Sequence, residues 1–122
     1  MSEVPDPLAR LDVLLEALFI AHTTIYDLHL DLVLADRATP TSQGLLTESA
    51  RIASQRTSEA TADVRRLAVQ WHEQSVLDPE AADRTALEIE QQLTATEVVL
   101  RNLLHRQAAI AAQLEALVAE SD

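Results

Sequence analysis

The sequence predicts an all-α fold: an antiparallel three-helix bundle with heptad, coiled-coil-like packing, completed by self-association. Three observations lead there. Alanine, leucine, glutamate and arginine, all strong helix formers, fill 60 of the 122 positions. A single glycine, with no β-branched or aromatic runs, leaves a sheet without its turns or its packing surface. Apolar residues recur at alternating steps of three and four in three successive segments, the spacing of helices that lie side by side at a shallow angle. At this length the chain reads as one domain, residues 1–122.

Three cap–proline pairs set the element boundaries. Asp6-Pro7, Thr39-Pro40 and Asp78-Pro79 each place a side-chain acceptor directly before a proline. Proline tolerates the first helical position because the amide hydrogen it lacks has no partner there. They predict helices over 7–37, 41–75 and 79–120, with Ser42 as an alternative cap for the second. In the first helix the apolar stripe runs through Leu8, Leu11, Leu15, Leu18, His22, Ile25, His29 and Leu32. It continues in the second at Leu46, Ala50, Ala53, Thr57, Ala60, Val64, Leu67 and Trp71. The third carries it at Ala86, Ile89, Leu93, Thr96, Leu100, Leu103, Gln107, Ile110, Leu114 and Leu117. The middle stripe is mostly alanine and threonine, so its bulk must come from the two flanking helices, and Trp71 near its end reads as a core plug. The outer helices are acidic and the middle one is neutral, which reduces like-charge repulsion across the bundle.

More apolar surface is present than three stripes require. Leu14, Phe19, Ile20, Leu30, Val33 and Leu34 widen or leave the first stripe, and Val98, Val99 and Leu104 do so in the third. Contiguous apolar patches mark partner surfaces. The expected partner is a second copy of the chain, a two-fold dimer with the first helix near its centre, and beyond it another protein.

Charge and composition exclude several classes. A formal net charge of −11, with nine arginines and no lysine, opposes nucleic-acid binding and docking on an anionic membrane. The apolar stretch from Leu14 to Leu34 is interrupted by His22, Asp27, His29 and Asp31, and carboxylates are costly at a bilayer centre. It is therefore expected to be a buried helix of a cytoplasmic protein. Met1–Asp6 lacks the basic residues of a targeting segment. Without cysteine there is no disulfide framework and no thiolate-held zinc or iron–sulfur centre.

The residues that invite a chemical reading are the histidines. His22 and His29 stand two turns apart on the first stripe. Folding the hairpins about their loops sets His22 opposite Thr57 and level with Thr96, and sets His29 beside Ala50 and near Gln107. Two polar layers inside an aliphatic core are the expectation, fixing helix register as buried polar seam residues do. The alternatives are a metal or haem ligand pair built across an oligomer axis, and a switch opened by protonation. A ferritin-type di-iron centre is excluded, because no glutamate stands three residues before any histidine. Arg101 and His105 share a helix face opposite the seam, without a nucleophile or carboxylate spaced to complete a site.

Arg65 or Arg66 followed by His72 resembles the Arg-x(4–6)-His pattern of the HEPN nucleases, which are also small, helical and often dimeric. The resemblance spans eight residues and implies a ribonuclease using those side chains. Small helical secretion substrates often carry a Trp-x-Gly turn; here Trp71 is followed by His72-Glu73, so that pattern is absent. The expected function is a non-enzymatic, acidic, helical protein–protein interaction module (an oligomeric adaptor, scaffold or inhibitor), with no catalytic residue, no metal and no cofactor. A cofactor-binding bundle using His22 and His29, and the HEPN-like nuclease, are the alternatives.

Overall fold

The computed structural model describes residues 9–120, and every element in it is helical; no strand occurs among the described residues. A 3-10 turn at Ala9–Leu11 leads into helix α1 (Asp12–Leu34). The second rod comprises α2 (Pro40–Arg51), one π turn (Ile52–Arg56) and α3 (Thr57–Leu77). Helix α4 (Pro79–Glu120) is the third rod. The predicted first start, Asp6-Pro7, lies outside the described residues.

The two inner boundaries follow from local chemistry. Helix α1 ends at Leu34 because the amides of Asp36 and Arg37 turn back onto the carbonyls of Val33 and Leu32, at 3.0 and 2.8 Å. This is a Schellman termination, with Asp36 at φ 57 in the left-handed position that glycine usually takes. An aspartate there gives no glycine signal, so the predicted end at residue 37 is three residues late. Thr39 then opens α2 with a capping box: its hydroxyl accepts from the Ser42 amide at 3.1 Å, and Ser42 Oγ accepts from the Thr39 amide at 2.8 Å. Ser42 thus completes the cap that Thr39 begins. Asp78 caps α4 through the amide of Ala81.

Three rods pack against one another around one core. Side-chain bonds fix their directions. Glu48 pairs with Arg106, the Ala60 carbonyl accepts from Thr96, and Gln74 accepts from Thr85, so the second rod runs antiparallel to α4. Arg10 reaches Glu90 and Glu97, and Leu32 shares a cavity wall with Leu117, so α1 and α4 run parallel. Leu11, Leu18, Ile25 and Leu32 of the first rod are fully buried at intervals of seven, facing Leu93, Leu100, Ile110 and Leu114 of α4 across the core.

The second rod departs from its predicted stripe. From Thr57 onward, Ala60, Val64, Leu67 and Trp71 are buried or half-buried as the spacing requires. Before it the buried positions are Ser42, Leu45, Ser49 and Ile52, one residue ahead of the predicted Leu46, Ala50 and Ala53. The π turn absorbs the difference. It holds one residue more than an α turn, so the stripe steps by five from Ile52 to Thr57, and Thr57 Oγ1 donates to the Ile52 carbonyl at 2.7 Å inside it.

Candidate functional site

The polar residues of the core meet in a different register from the one predicted. His22 Nδ1 lies 2.8 Å from Oγ of Ser49, which is fully buried, and Gln107 Nε2 donates to the Ser49 carbonyl at 3.2 Å. One layer therefore joins all three rods through a serine that the sequence places in a turn or on exposed helix, an expectation corrected here by its full burial. His22 does not face Thr57, which is spent within the π turn, nor Thr96, whose hydroxyl donates to the Ala60 carbonyl. The displacement along the second rod from Thr57 to Ser49 is eight residues, about two turns or 12 Å. It follows from the early end of α1, which moves the point of reversal toward the N-terminus; the π turn lies beyond Ser49 and changes only the phase of the stripe. Ala50, expected beside His29, is exposed.

His29 is buried at 6% exposure, and its Nε2 has no hydrogen-bond partner among the described residues; the same holds for Oε1 of Gln107. The Ser49–His22 distance is that of a hydroxyl and its base, but the Ser49 side chain has no exposed surface through which a substrate could reach it. What the layer does is tie the rods together. Among the described residues no three His, Asp or Glu side chains gather in a metal-binding arrangement. Arg65, Arg66 and His72 all stand exposed on α3, Arg66 beside Asp63 at 3.8 Å.

The second feature is a flank of α1. At 3.6 residues per turn, Phe19, Tyr26, Leu30 and Val33 fall within about 60° of one another. They lie on the side of α1 that His22 shares toward α2, and are 67%, 53%, 41% and 48% exposed. No charged residue shares that flank between Leu15 and Val33. Ile20 and Leu34 lie on a separate, outward line among Glu16, Asp27 and Asp31. Leu14 and Leu104 are half-buried against the core; Val98 and Val99 are exposed on α4. Tyr26, absent from the sequence-derived set, joins it by its seven-residue spacing from Phe19 and Val33.

The expectation of a buried first helix is corrected here. Ala9–Leu34 is long and apolar enough to cross a membrane, and only 17% of its most apolar window is buried. One face of a single outer rod meets the other two, and the rest of its apolar surface is left outside.

The third feature is a cluster of arginines at the π turn. Arg106 forks onto Glu48, Nε to Oε1 at 2.9 Å and Nη2 to Oε2 at 2.7 Å. That hydrogen-bonded guanidinium, with Arg51 adding a smaller attraction, holds the Glu48 carboxyl below the ordinary value of a glutamate. Arg51 and Arg56 stand exposed beside the pair. Neither arginine was singled out in the sequence, because only the π turn brings them to one place.

Comparison with known proteins gives no match: no family, no curated protein and no solved structure resembles this chain.

Proposed function

We propose that the chain is a non-enzymatic interaction protein that works as a homodimer, an adaptor or scaffold whose contact is the α1 flank facing α2. The observation that carries this reading is the run Phe19, Tyr26, Leu30 and Val33, exposed and free of charge on a chain of net charge −11. Two such copies repel over most of their surfaces, so a face without carboxylates is where they approach at least cost. Aromatic anchors with aliphatic neighbours and few charges are also what the centre of a protein interface contains. A two-fold contact uses each anchor twice, which doubles the apolar area covered per residue.

The proposal extends to the manner of packing and to the setting. Burial at every seventh residue from Leu11 to Leu32 supports knobs-into-holes contacts between the rods. The cytoplasm suits the outward line of α1, where Asp27 and Asp31 would each cost about 3 kcal/mol near a bilayer centre.

Light scattering coupled to size exclusion tests the reading on the purified chain and on Phe19→Glu and Leu30→Glu variants. A mass of twice 13.4 kDa for the parent, falling to a monomer of unchanged helicity in the variants, is the expected outcome. A parent that stays monomeric at high micromolar concentration sinks the dimer. Flotation of the parent with neutral lipid vesicles would instead place the apolar flank against a membrane.

A further inference from the structure

The second rod leaves α geometry once, at Ile52–Arg56. In a regular α-helix, residues five apart point about 140° away from each other. A π turn closes i to i+5 and stacks them on one face. Arg51 and Arg56 are five apart, and both line one cavity of about 260 Å³ between the second rod and α4. Helix α4 contributes Leu103 and the Arg106 that Glu48 holds in place; Ile52 supplies an apolar surface. Neither Arg51 nor Arg56 has a carboxylate within 4 Å among the described residues. A second cavity of about 250 Å³ continues past Arg56 and Leu103 and is lined there by Ala60, Val99 and Glu59.

We propose that this notch is a binding site for a compact oxyanion, a carboxylate or phosphate group carried on a short aliphatic body. The guanidinium fork matches both groups with paired N–H donors, and two forks here are free while the third is already positioned. Glu48 is neutralised by Arg106, so it forms part of the wall and repels little. The acid excess of the whole chain turns away polyanions. A small anion seated on the arginines feels mainly the charges within about 8 Å, the screening length in physiological salt. Leu103, Ala60 and Val99 of the second lobe give the ligand's carbon skeleton a place to lie, and Glu59 there favours a skeleton that carries no second negative charge. The site is separate from the α1 flank and does not depend on dimerisation.

The test is an NMR titration of the intact protein with inorganic phosphate and, in a second arm, butyrate, with ionic strength held constant by chloride. Saturable shifts centred on residues 48–56 and 103–106 are expected, and the tighter-binding anion tells phosphate recognition from carboxylate recognition. Arg51→Ala with Arg56→Ala should weaken binding at least tenfold. The charge-preserving pair Arg51→Lys with Arg56→Lys is the sharper variant. It keeps every charge but removes both planar forks, so binding should fall at least tenfold in a folded bundle. Glu48→Gln, by freeing Arg106, should instead tighten binding several-fold. Shifts no larger than chloride alone produces, or binding that survives the double lysine variant in a folded protein, would overturn the proposal.

Discussion

Helix α4 and the second rod face each other along the bundle, yet they keep phase by different means. Helix α4 runs unbroken for 42 residues, and leucine or isoleucine holds most of its buried positions. The second rod buries Ser42 and Ser49 beside Leu45 and Ile52 over its first half, and it changes phase at a π turn. Bulky side chains fix which face of a helix is inward, because turning by one residue would expose several of them. Small side chains do not, so an extra residue can be accommodated in the rod at little cost in burial.

The contrast can be broken first at its strongest point. Leu100 has no exposed surface, so Leu100→Ala in α4 should cost about 3 kcal/mol, from lost transfer energy plus an uncollapsed cavity. Urea unfolding measures it, and a loss under ~1 kcal/mol would mean that the α4 seam is loosely packed. The polar layer comes next. His22→Leu leaves the Ser49 hydroxyl, fully buried, without its imidazole partner and should cost about 1 kcal/mol. His29→Leu removes a buried ring nitrogen that has no hydrogen-bond partner among the described residues, so the same measurement should show no loss or a small gain. Equal losses for the two variants would show that burial alone, and not the Ser49 bond, sets the value of these histidines.

The smallest effect belongs to the surface of the second rod. Arg106 lowers the Glu48 carboxyl in the folded chain, so their pairing stabilises at neutral pH. It is lost as the pH falls through the depressed folded value, where the native carboxylate finally takes up its proton. Thermal melts of the parent and of Glu48→Gln should therefore differ slightly at pH 7 and converge in acid, below that depressed value. Curves that stay apart in acid would assign the difference to packing.

These differences also explain what could be read in advance. Every predicted stripe position of α4, from Ala86 to Leu117, is buried or half-buried, and so are the first rod's Leu11 through Leu32. Both stripes consist of residues whose exposure would be expensive, and the spacing alone locates them. In the second rod the prediction holds from Thr57 onward, where Val64 and Leu67 supply bulk; before it Leu46 and Ala53 are half-buried, Ala50 is exposed, and full burial falls one residue earlier. Nothing at Ile52–Arg56 announces a π turn: Ser54 and Thr57 bond to backbone carbonyls, as such residues do in many helices. The polar layer is displaced by the early end of α1 at Asp36. His29 and Gln107 are buried as their spacing requires, but Gln107 bonds the carbonyl of Ser49, a residue whose small polar side chain reads as exposed helix and which organises the layer. Arg51 and Arg56 are legible as a pair only once the turn between them is known.

Asp36 has one more consequence. The chain reverses between the first two rods on a left-handed residue with a side chain, secured by two backbone bonds within the same turn. The geometry of the hairpin is thus written in main-chain atoms, and the aspartate contributes strain that a glycine would relieve. Evolution or an engineer can therefore adjust how firmly the hairpin closes by changing a single surface position, away from the guanidinium cleft but directly beyond the end of the uncovered aromatic ridge. Val33 lends its carbonyl to the closure and its side chain to the ridge, so tightening one bears on the other.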